Sequence, residues 1–131
     1  MPTIVHFEIP SDDIERSRNF YNELFGWSIE KWTGSLPATV EGMEYWLLST
    51  ADDKGNKGLG GGMMKRQSPQ QQGITNYFDV KSVQEYSAKV EQLGGKVISQ
   101  KMPVPGMGYF AMCADTENNT FGIFEPDQTA K

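Results

Sequence analysis

The chain has 131 residues, of which 37% are hydrophobic and 22% charged, and a formal net charge of −5. This length and composition predict one domain with its own hydrophobic core, and the acidic balance argues against binding to nucleic acids or anionic membranes. The chain lacks an apolar run long enough to span a membrane and a secretory signal, and it has a single cysteine, so we predict a cytoplasmic protein.

The first half of the chain predicts the order strand, helix, strand, strand, strand. The predicted strands are Thr3–Ile9, Trp27–Trp32, Glu44–Thr50 and Leu59–Lys65. Pro10 bounds the first strand, and Asp12 with Glu15 is similar to a capping box that starts a helix. This helix is predicted to run to about Phe25, where Gly26 can adopt the left-handed conformation that ends it. The predicted loops are Thr33–Met43 and the polar hairpin loop Ala51–Lys57.

The second half repeats this order after Arg66–Gly73, a segment with the composition of a linker. Ser82 with Glu85 forms a capping box for a helix that runs to Leu93 and is closed by the Gly94–Gly95 pair. The predicted strands are Ile74–Val80, Lys96–Lys101, Tyr109–Ala114 and Thr120–Glu125. The predicted connections are the loop Met102–Gly108 and the turn Asp115–Asn119.

The two halves align at an offset of 69 residues, with His6–Ile29 over Thr75–Ile98. Both predicted helices carry apolar or small residues at i, i+3, i+7 and i+10, the spacing of one helix face. Two copies of a unit too small to cover its own sheet are expected to pack together, with a ligand cleft between them. We therefore predict an α+β fold of two tandem βαβββ modules, residues 3–66 and 73–127, forming an open, curved mixed sheet around a cleft.

Three segments resemble the vicinal oxygen chelate superfamily, which includes glyoxalase I, bleomycin-resistance proteins and extradiol dioxygenases. They are His6–Trp27 (HFEIPSDDIERSRNFYNELFGW), Leu93–Val97 (LGGKV) and Ala114–Glu125 (ADTENNTFGIFE). The resemblance extends from about Thr3 to Asp127 and is nearest to small glyoxalase-like members of unassigned substrate. It implies a homodimer in which each chain holds a ligand or a metal ion inside its paired modules.

Metal-dependent relatives place one ligand on the first and one on the last strand of each module, around a divalent ion. The resemblance assigns these positions to His6, Thr75, Gly60 or Gly61, and Gly122. Only His6 offers a good donor, so we expect no cofactor. The alternative is one divalent ion (Zn, Ni, Fe or Mn) bound by His6, Glu8 and Glu125. Glu125 lies three residues from Gly122, however, and is expected to point to the opposite face of its strand.

His6 and Glu8 lie two residues apart and therefore share one face of the first strand. Both are candidate catalytic residues, since an imidazole near its pKa and a partly buried carboxylate can move protons. The alternative is that His6 is hydrogen-bonded to a neighbour and takes no part in chemistry. Cys113 lacks a basic neighbour in its strand and is expected to be a buried apolar residue instead of a nucleophile.

The candidate ligand-binding residues combine glycines, which leave room, with aromatic walls that suit a flat, mostly apolar ligand. They are Trp46, Gly60, Gly62, Thr75, Tyr77, Tyr109, Gly122 and Phe124. We therefore predict a glyoxalase/bleomycin-resistance-like protein that binds a small aromatic or amphipathic molecule without the family metal. The alternatives are a metal-dependent lyase or dioxygenase that uses His6 with a carboxylate, and a metal-free acid–base enzyme that uses Glu8 or His6.

Overall fold

Strand, helix and three further strands occur twice along the chain, in the order that the sequence predicts. The first five elements are β1 (Ile4–Ser11), α1 (Ile14–Phe25), β2 (Ser28–Lys31), β3 (Tyr45–Ser49) and β4 (Gly61–Lys65). The next five are β5 (Thr75–Asp79), α2 (Val83–Gln92), β6 (Lys96–Val104), β7 (Gly108–Ala114) and β8 (Thr120–Pro126). The structure is a computed structural model that describes residues 2–34, 36, 43–68 and 73–131, so parts of the predicted loop Thr33–Met43 and linker Arg66–Gly73 lie outside the described residues.

Two compact units correspond to the two repeats. We call residues 6–33, 43–68 and 73–74 module one, and residues 2–5, 34, 36 and 75–131 module two. The predicted α+β class and the two βαβββ modules are confirmed, whereas the cleft between them stays a prediction. Neither helix described within these ranges is long and apolar enough to cross a membrane.

Module one is a mixed sheet in the order β2-β3-β4-β1, with β1 and β4 parallel and the other pairs antiparallel. Its core contains Ile9, Ile29, Leu48 and Met63. Ile14 and Tyr21 of α1 pack against this core, so the helix covers one face of the sheet. We call the opposite face of each sheet its helix-free face.

Module two repeats the arrangement with the order β5-β8-β7-β6, in which β5 and β8 are the parallel pair. Its core contains Val80, Val83, Ala111, Cys113 and Ile123, with Tyr86 and Val90 of α2 packed against it. Cys113 is fully buried as expected, and burial raises the pKa of its thiol. A raised thiol pKa disfavours the reactive thiolate, which agrees with a structural role for this residue.

The predicted start of α1 is wrong by one residue. Asp13 is the N-cap, and its carboxylate accepts a hydrogen bond from the Arg16 backbone N–H at 3.1 Å. Asp12 instead forms an ion pair with Arg66, whose Nε lies 3.0 Å from its carboxylate oxygen. Because either aspartate can cap a helix, the sequence pattern alone did not choose between them. The cap at Ser82 of α2 is confirmed, since its hydroxyl accepts from the Glu85 N–H.

Two strands run at least two residues further than the sequence predicts. Pro10 lies inside β1 instead of bounding it. β6 continues to Val104 and takes up the first part of the predicted loop Met102–Gly108, which leaves a short turn at 105–107. Proline lacks a backbone N–H, so it disrupts a strand only at a position where that N–H would pair with a neighbouring strand. At other positions a strand can contain a proline.

The β3–β4 and β7–β8 connections contain the same turn, built on an aspartate and an asparagine four residues later. Asp52 accepts hydrogen bonds from the backbone and side-chain N–H groups of Asn56 and from the Lys54 N–H. Asp115 is bonded in the same way to Asn119 and to the Glu117 N–H. These bonds lower the pKa of both carboxyls, first through Asn56 for Asp52 and through Asn119 for Asp115. The internal repeat therefore includes this turn in addition to the helices.

The assignment of the α1 cap predicts different effects for two neighbouring aspartates. Asp13→Ala removes the acceptor for an otherwise unpaired helix N–H and should lower the free energy of unfolding by about 1 kcal/mol. Asp12→Ala removes the same charge but only an exposed ion pair, so its effect should stay below about 0.5 kcal/mol. Urea unfolding of both variants measures the difference. Equal losses, or a larger loss for Asp12→Ala, would contradict the assigned cap.

Candidate functional site

The pairing of first and last strands places a glycine beside the first strand in each module. Glu8 of β1 pairs with Gly62 of β4, and Tyr77 of β5 pairs with Gly122 of β8. These four residues alternate along their strands with core residues, so they lie on the helix-free faces. The partner of Gly122 in module one is thus Gly62, which corrects the expected Gly60 or Gly61 by one or two residues.

A chain of hydrogen bonds joins His6, Tyr45 and Glu8 on the helix-free face of module one. The Tyr45 hydroxyl donates to Oε2 of Glu8 at 3.0 Å and lies 2.7 Å from Nε2 of His6. Because the single hydroxyl proton goes to Glu8, we assign Nε2 of His6 as the donor to the Tyr45 oxygen. The His6 and Tyr45 rings are also stacked, with their planes 15° apart. All three side chains are partly buried.

Gly62 is required for this arrangement, because the Tyr45 ring crosses β4 above it. A Cβ at position 62 would overlap the hydroxyl and the Cζ of Tyr45. Tyr45 pairs with Met64, two residues further along β4, so its side chain reaches diagonally over Gly62 towards β1. The glycine therefore acts by admitting a tyrosine of the chain itself to the site.

Burial affects the protonation of His6. Desolvation lowers the pKa of its imidazole below the ordinary value of 6.5, because burial disfavours the charged form. The ring is consequently neutral at neutral pH. A neutral imidazole donates through one nitrogen and accepts through the other, which suits both ligand contact and proton transfer.

Aromatic rings occupy the helix-free face of module two. The Tyr77 ring lies over Gly122, where a Cβ would overlap it. Phe124 and Phe110 are directly paired across β7 and β8, and the Phe124 ring extends over Gly108, which would not accommodate a Cβ either. The strand register makes Phe110 the counterpart of Tyr45 and Tyr77 the counterpart of Glu8. The same positions are therefore polar in module one and aromatic in module two.

Two predicted ligand-binding rings lie on the wrong face of their strands. Trp46 packs against the core of module one, with the Arg18 guanidinium of α1 4.4 Å from the centre of its ring. Tyr109 packs against the core of module two. The residues that sequence reasoning missed are their immediate neighbours, Tyr45 and Phe110. The sequence signal was strand alternation, because Tyr45 lies three residues from Leu48 and Phe110 lies three residues from Cys113. An odd spacing along a strand places two side chains on opposite faces, so a ring at that spacing from a buried residue points away from the core.

The remaining predicted residues are placed as follows. Gly60 precedes β4, and its carbonyl accepts a hydrogen bond from the Phe7 N–H at 3.4 Å. Gly60 therefore contributes a backbone hydrogen bond and does not open space for a ligand. Thr75 begins β5 and shares the face of Tyr77. Glu125 points to the opposite face, as expected, and its carboxylate accepts from the Val83 N–H at 2.9 Å. It therefore stabilises the positive N-terminal end of α2.

The described residues do not fit the four-ligand metal site of the family. Within residues 2–34, 36, 43–68 and 73–131, no three side chains of His, Cys, Asp or Glu are grouped to hold a metal ion. The last-strand positions are Gly62 and Gly122, which have no donor atom, and Glu125 binds the start of α2. His6 and Glu8 remain, both bonded to Tyr45. The expected absence of a cofactor stays a prediction.

Comparisons with known proteins point to one superfamily. A family model described as bleomycin resistance protein-like N-terminal matches residues 3–35. The chain is 27% identical over 128 residues to the glyoxylase-like protein CFP32 of Mycobacterium tuberculosis (strain CDC 1551 / Oshkosh), covering 95% of this chain but only 44% of CFP32. It is 28% identical over 118 residues to a glyoxylase-like domain-containing protein of Didymella fabae, covering 88% of each. The chain thus spans less than half the length of CFP32.

Solved structures share the fold at low sequence identity. The hypothetical protein BH1468 from Bacillus halodurans C-125 superposes with a TM-score of 0.65 at 19% identity, covering 99% of this chain and 98% of that one. A methylmalonyl-CoA epimerase in complex with methylmalonyl-CoA and NH4+ gives 0.65 at 14% identity, covering 98% and 96%. The methylmalonyl-CoA epimerase from Mycobacterium tuberculosis gives 0.66 at 11% identity, covering 95% and 87%.

The family model, the relatives and the shared fold together support the membership predicted from the sequence. The chain is therefore similar to bleomycin-resistance-like and glyoxylase-like proteins, as the sequence predicts.

Two glycine substitutions should separate the role of Gly62 from a general effect on the strand. Gly62→Ala should displace the Tyr45 ring, break its bond to His6 and lower the free energy of unfolding by about 1–3 kcal/mol. Gly60→Ala should change stability by less than about 1 kcal/mol, because its Cβ would lie 3.5 Å from the nearest atom, the Leu48 carbonyl oxygen. Chemical unfolding and the imidazole NMR signals of His6 report both effects. Matching behaviour of the two variants would contradict the role assigned to Gly62.

The lowered pKa of His6 gives a direct pH test. His6 is the only histidine of the sequence, so its NMR titration is unambiguous and its midpoint should lie below 6.5. The unfolded chain then binds the proton more tightly, so protonation of His6 reduces stability as the pH falls below 6.5, and the effect disappears above that value. The difference in unfolding free energy between wild type and His6→Gln should accordingly change between pH 5 and pH 8. A midpoint at or above 6.5 would show that burial does not control this group.

Proposed function

We propose that the chain binds a small aromatic or amphipathic organic molecule on its helix-free faces, without the metal ion of the family. The observation that carries this proposal is the hydrogen-bonded chain His6–Tyr45–Glu8 over Gly62. The matching positions of module two are Thr75, Tyr77 and Phe110, which include neither a histidine nor a carboxylate. Partly buried polar groups of three kinds are typical of surfaces that orient a ligand.

The helix-free face of module one, considered by itself, offers contacts for a polar group of a ligand. Glu8 carries an acceptor carboxylate, and Tyr45 and His6 hold that carboxylate in one orientation through two successive hydrogen bonds. A fixed carboxylate favours a hydroxyl, amide or amine on the ligand, since each of these can donate to it. Preorganisation by Tyr45 also reduces the entropy that the side chains lose on binding.

The helix-free face of module two, considered by itself, offers contacts for an aromatic ring of a ligand. Tyr77, Phe110 and Phe124 share its helix-free face, and Gly122 and Gly108 let two of the rings lie flat on the sheet. Flat rings offer stacking and edge contacts to a planar ligand at little loss of side-chain entropy. This surface is the reason for expecting an aromatic or amphipathic molecule.

A metal-free acid–base enzyme is the second candidate function, and the same hydrogen-bonded chain favours it. His6, Tyr45 and Glu8 are all able to exchange protons, and the pKa of His6 lies below its ordinary value. A metal-dependent lyase or dioxygenase is less well supported, because the described donor set does not fit. The homodimer implied by the family and the cytoplasmic location are kept as parts of the proposal.

Binding of a chemically broad library, with methylmalonyl-CoA as one probe, tests the proposed function. Tyr77→Ala and Phe124→Ala should weaken binding of aromatic compounds roughly tenfold each, since loss of a ring contact is worth about 1–1.5 kcal/mol. Tyr45→Phe should weaken compounds with a hydrogen-bond donor by a similar factor. Tyr86→Phe, a matched removal of one hydroxyl from a ring packed on the core, should leave binding unchanged.

Three outcomes would change the assignment. The absence of binding across the library, or equal effects of Tyr45→Phe and Tyr86→Phe, would refute it. A stoichiometric divalent ion in protein purified without chelators, lost in His6→Ala, would favour the metal-dependent alternative. Turnover of a library compound that persists in EDTA and is lost in Glu8→Gln would establish the acid–base enzyme.

A further inference from the structure

A hollow of about 380 Å³ lies within module two, on a different part of the sheet from the residues described above. Its lining consists of Asn76, Phe78, Asp115, Asn119, Thr120 and Phe121. Asn76 and Phe78 alternate with Tyr77, and Phe121 packs against the module core, so these three residues face the side of α2, whereas Thr120 alternates with Phe121 and faces the other side. This volume is at the lower end of the range for small-molecule pockets.

The corresponding part of module one contains an aromatic ring. The strand register makes Phe7 the counterpart of Asn76 and Gly61 the counterpart of Phe121. The Phe7 ring lies against Gly61, 3.1 Å from where a Cβ would be, and meets Trp27 edge-on with ring centres 6.0 Å apart. Tyr21 and Phe25 extend this aromatic cluster, each with its ring centre 5.1 Å from that of Trp27.

Module two has no aromatic rings at the positions that form this cluster in module one. At the 69-residue offset the counterparts of Phe7, Tyr21, Phe25 and Trp27 are Asn76, Val90, Gly94 and Lys96. Phe78 and Phe121 remain as an edge-to-face pair with ring centres 6.0 Å apart. Phe121 supplies a ring where module one has Gly61, whereas Asn76 stands at the position of the Phe7 ring. The hollow is therefore bordered by two rings that can contact a further ring at favourable angles.

Polar groups at the rim restrict the chemistry further. The side chains of Asn76 and Thr120 offer an amide and a hydroxyl. Asp115 adds negative charge at the rim, and its two oxygens accept three N–H groups of the turn. Glu117, also in the turn, adds a second carboxylate, so an anionic ligand is disfavoured.

We propose that this hollow is a second ligand site that takes an uncharged or cationic planar aromatic molecule. The aromatic ring inserts beside Phe78 and Phe121, as Phe7 does beside Trp27 in module one. A hydrogen-bonding substituent on the ring then contacts Asn76 or Thr120. The site is separate from the proposed function, since none of its residues is among those to which the proposed function is assigned.

Indole, nicotinamide and benzoate are suitable probes because they share a planar ring and differ in charge and substituent. Titration followed by amide NMR should show indole and nicotinamide shifting the signals of Asn76, Phe78 and Thr120, and benzoate binding at least threefold more weakly. Asn76→Phe restores the module-one residue and should weaken binding of both at least tenfold. Gln84→Phe adds the same ring at an exposed position of α2 and should leave binding unchanged.

The controls distinguish this site from the first. Tyr45→Phe should not alter indole binding, so failure of the proposed function would leave this result standing. If Asn76→Phe does not fold, Thr120→Leu narrows the hollow at an exposed residue and should weaken binding at least threefold. An absence of shifts at these amides with millimolar probe would overturn the proposal. Shifts that persist unchanged in the folded Asn76→Phe or Thr120→Leu variant would overturn it equally.

Discussion

The parallel pairing of first and last strand in each module is the constraint on which the candidate site depends. This pairing sets Glu8 beside Gly62 and Tyr77 beside Gly122. In each case an aromatic ring lies over the glycine, and a Cβ would displace it. A shift of the register by one residue would bring Gly61 beside Glu8 and turn the polar side chains into the core. The glycines therefore fix which ring can reach which neighbour.

Internal repetition provides a comparison that a single sequence otherwise lacks. Tyr45 and Phe110 hold matching positions, yet only Tyr45 has a hydroxyl to join His6 and Glu8. Since Phe110 serves the fold without that hydroxyl, the three-residue chain is not a requirement of the architecture. The same logic applies to the other face, where the aromatic cluster of module one has no equivalent in module two. The aromatic cluster is therefore present in module one and absent at the corresponding positions of module two.

Hydrogen bonding, more than ion pairing, determines the electrostatics of the described part of the chain. The two ion pairs found there, Lys31–Glu44 and Arg66–Asp12, both involve exposed carboxylates. Such pairs contribute little to stability. The carboxylates with lowered pKa in the two aspartate–asparagine turns owe it to N–H donors, whereas desolvation alone lowers the pKa of His6. The charge of His6 therefore depends on the burial that the fold provides.

The sequence by itself determined the element order, the two modules, the α2 cap and the similarity to glyoxylase-like proteins. These follow from local signals, namely apolar periodicity, capping residues and glycine ends, which act within a few residues of one another. It also placed His6 and Glu8 on one strand face and Glu125 on the opposite face of its strand, because a strand alternates with a period of two. Only the tertiary structure decided which side chains of β3 and of β7 point to the core. Trp46 and Tyr109 are as aromatic as Tyr45 and Phe110, so the type of side chain does not show which of each pair faces the core, and the packing of β3 and β7 in the sheets settles it.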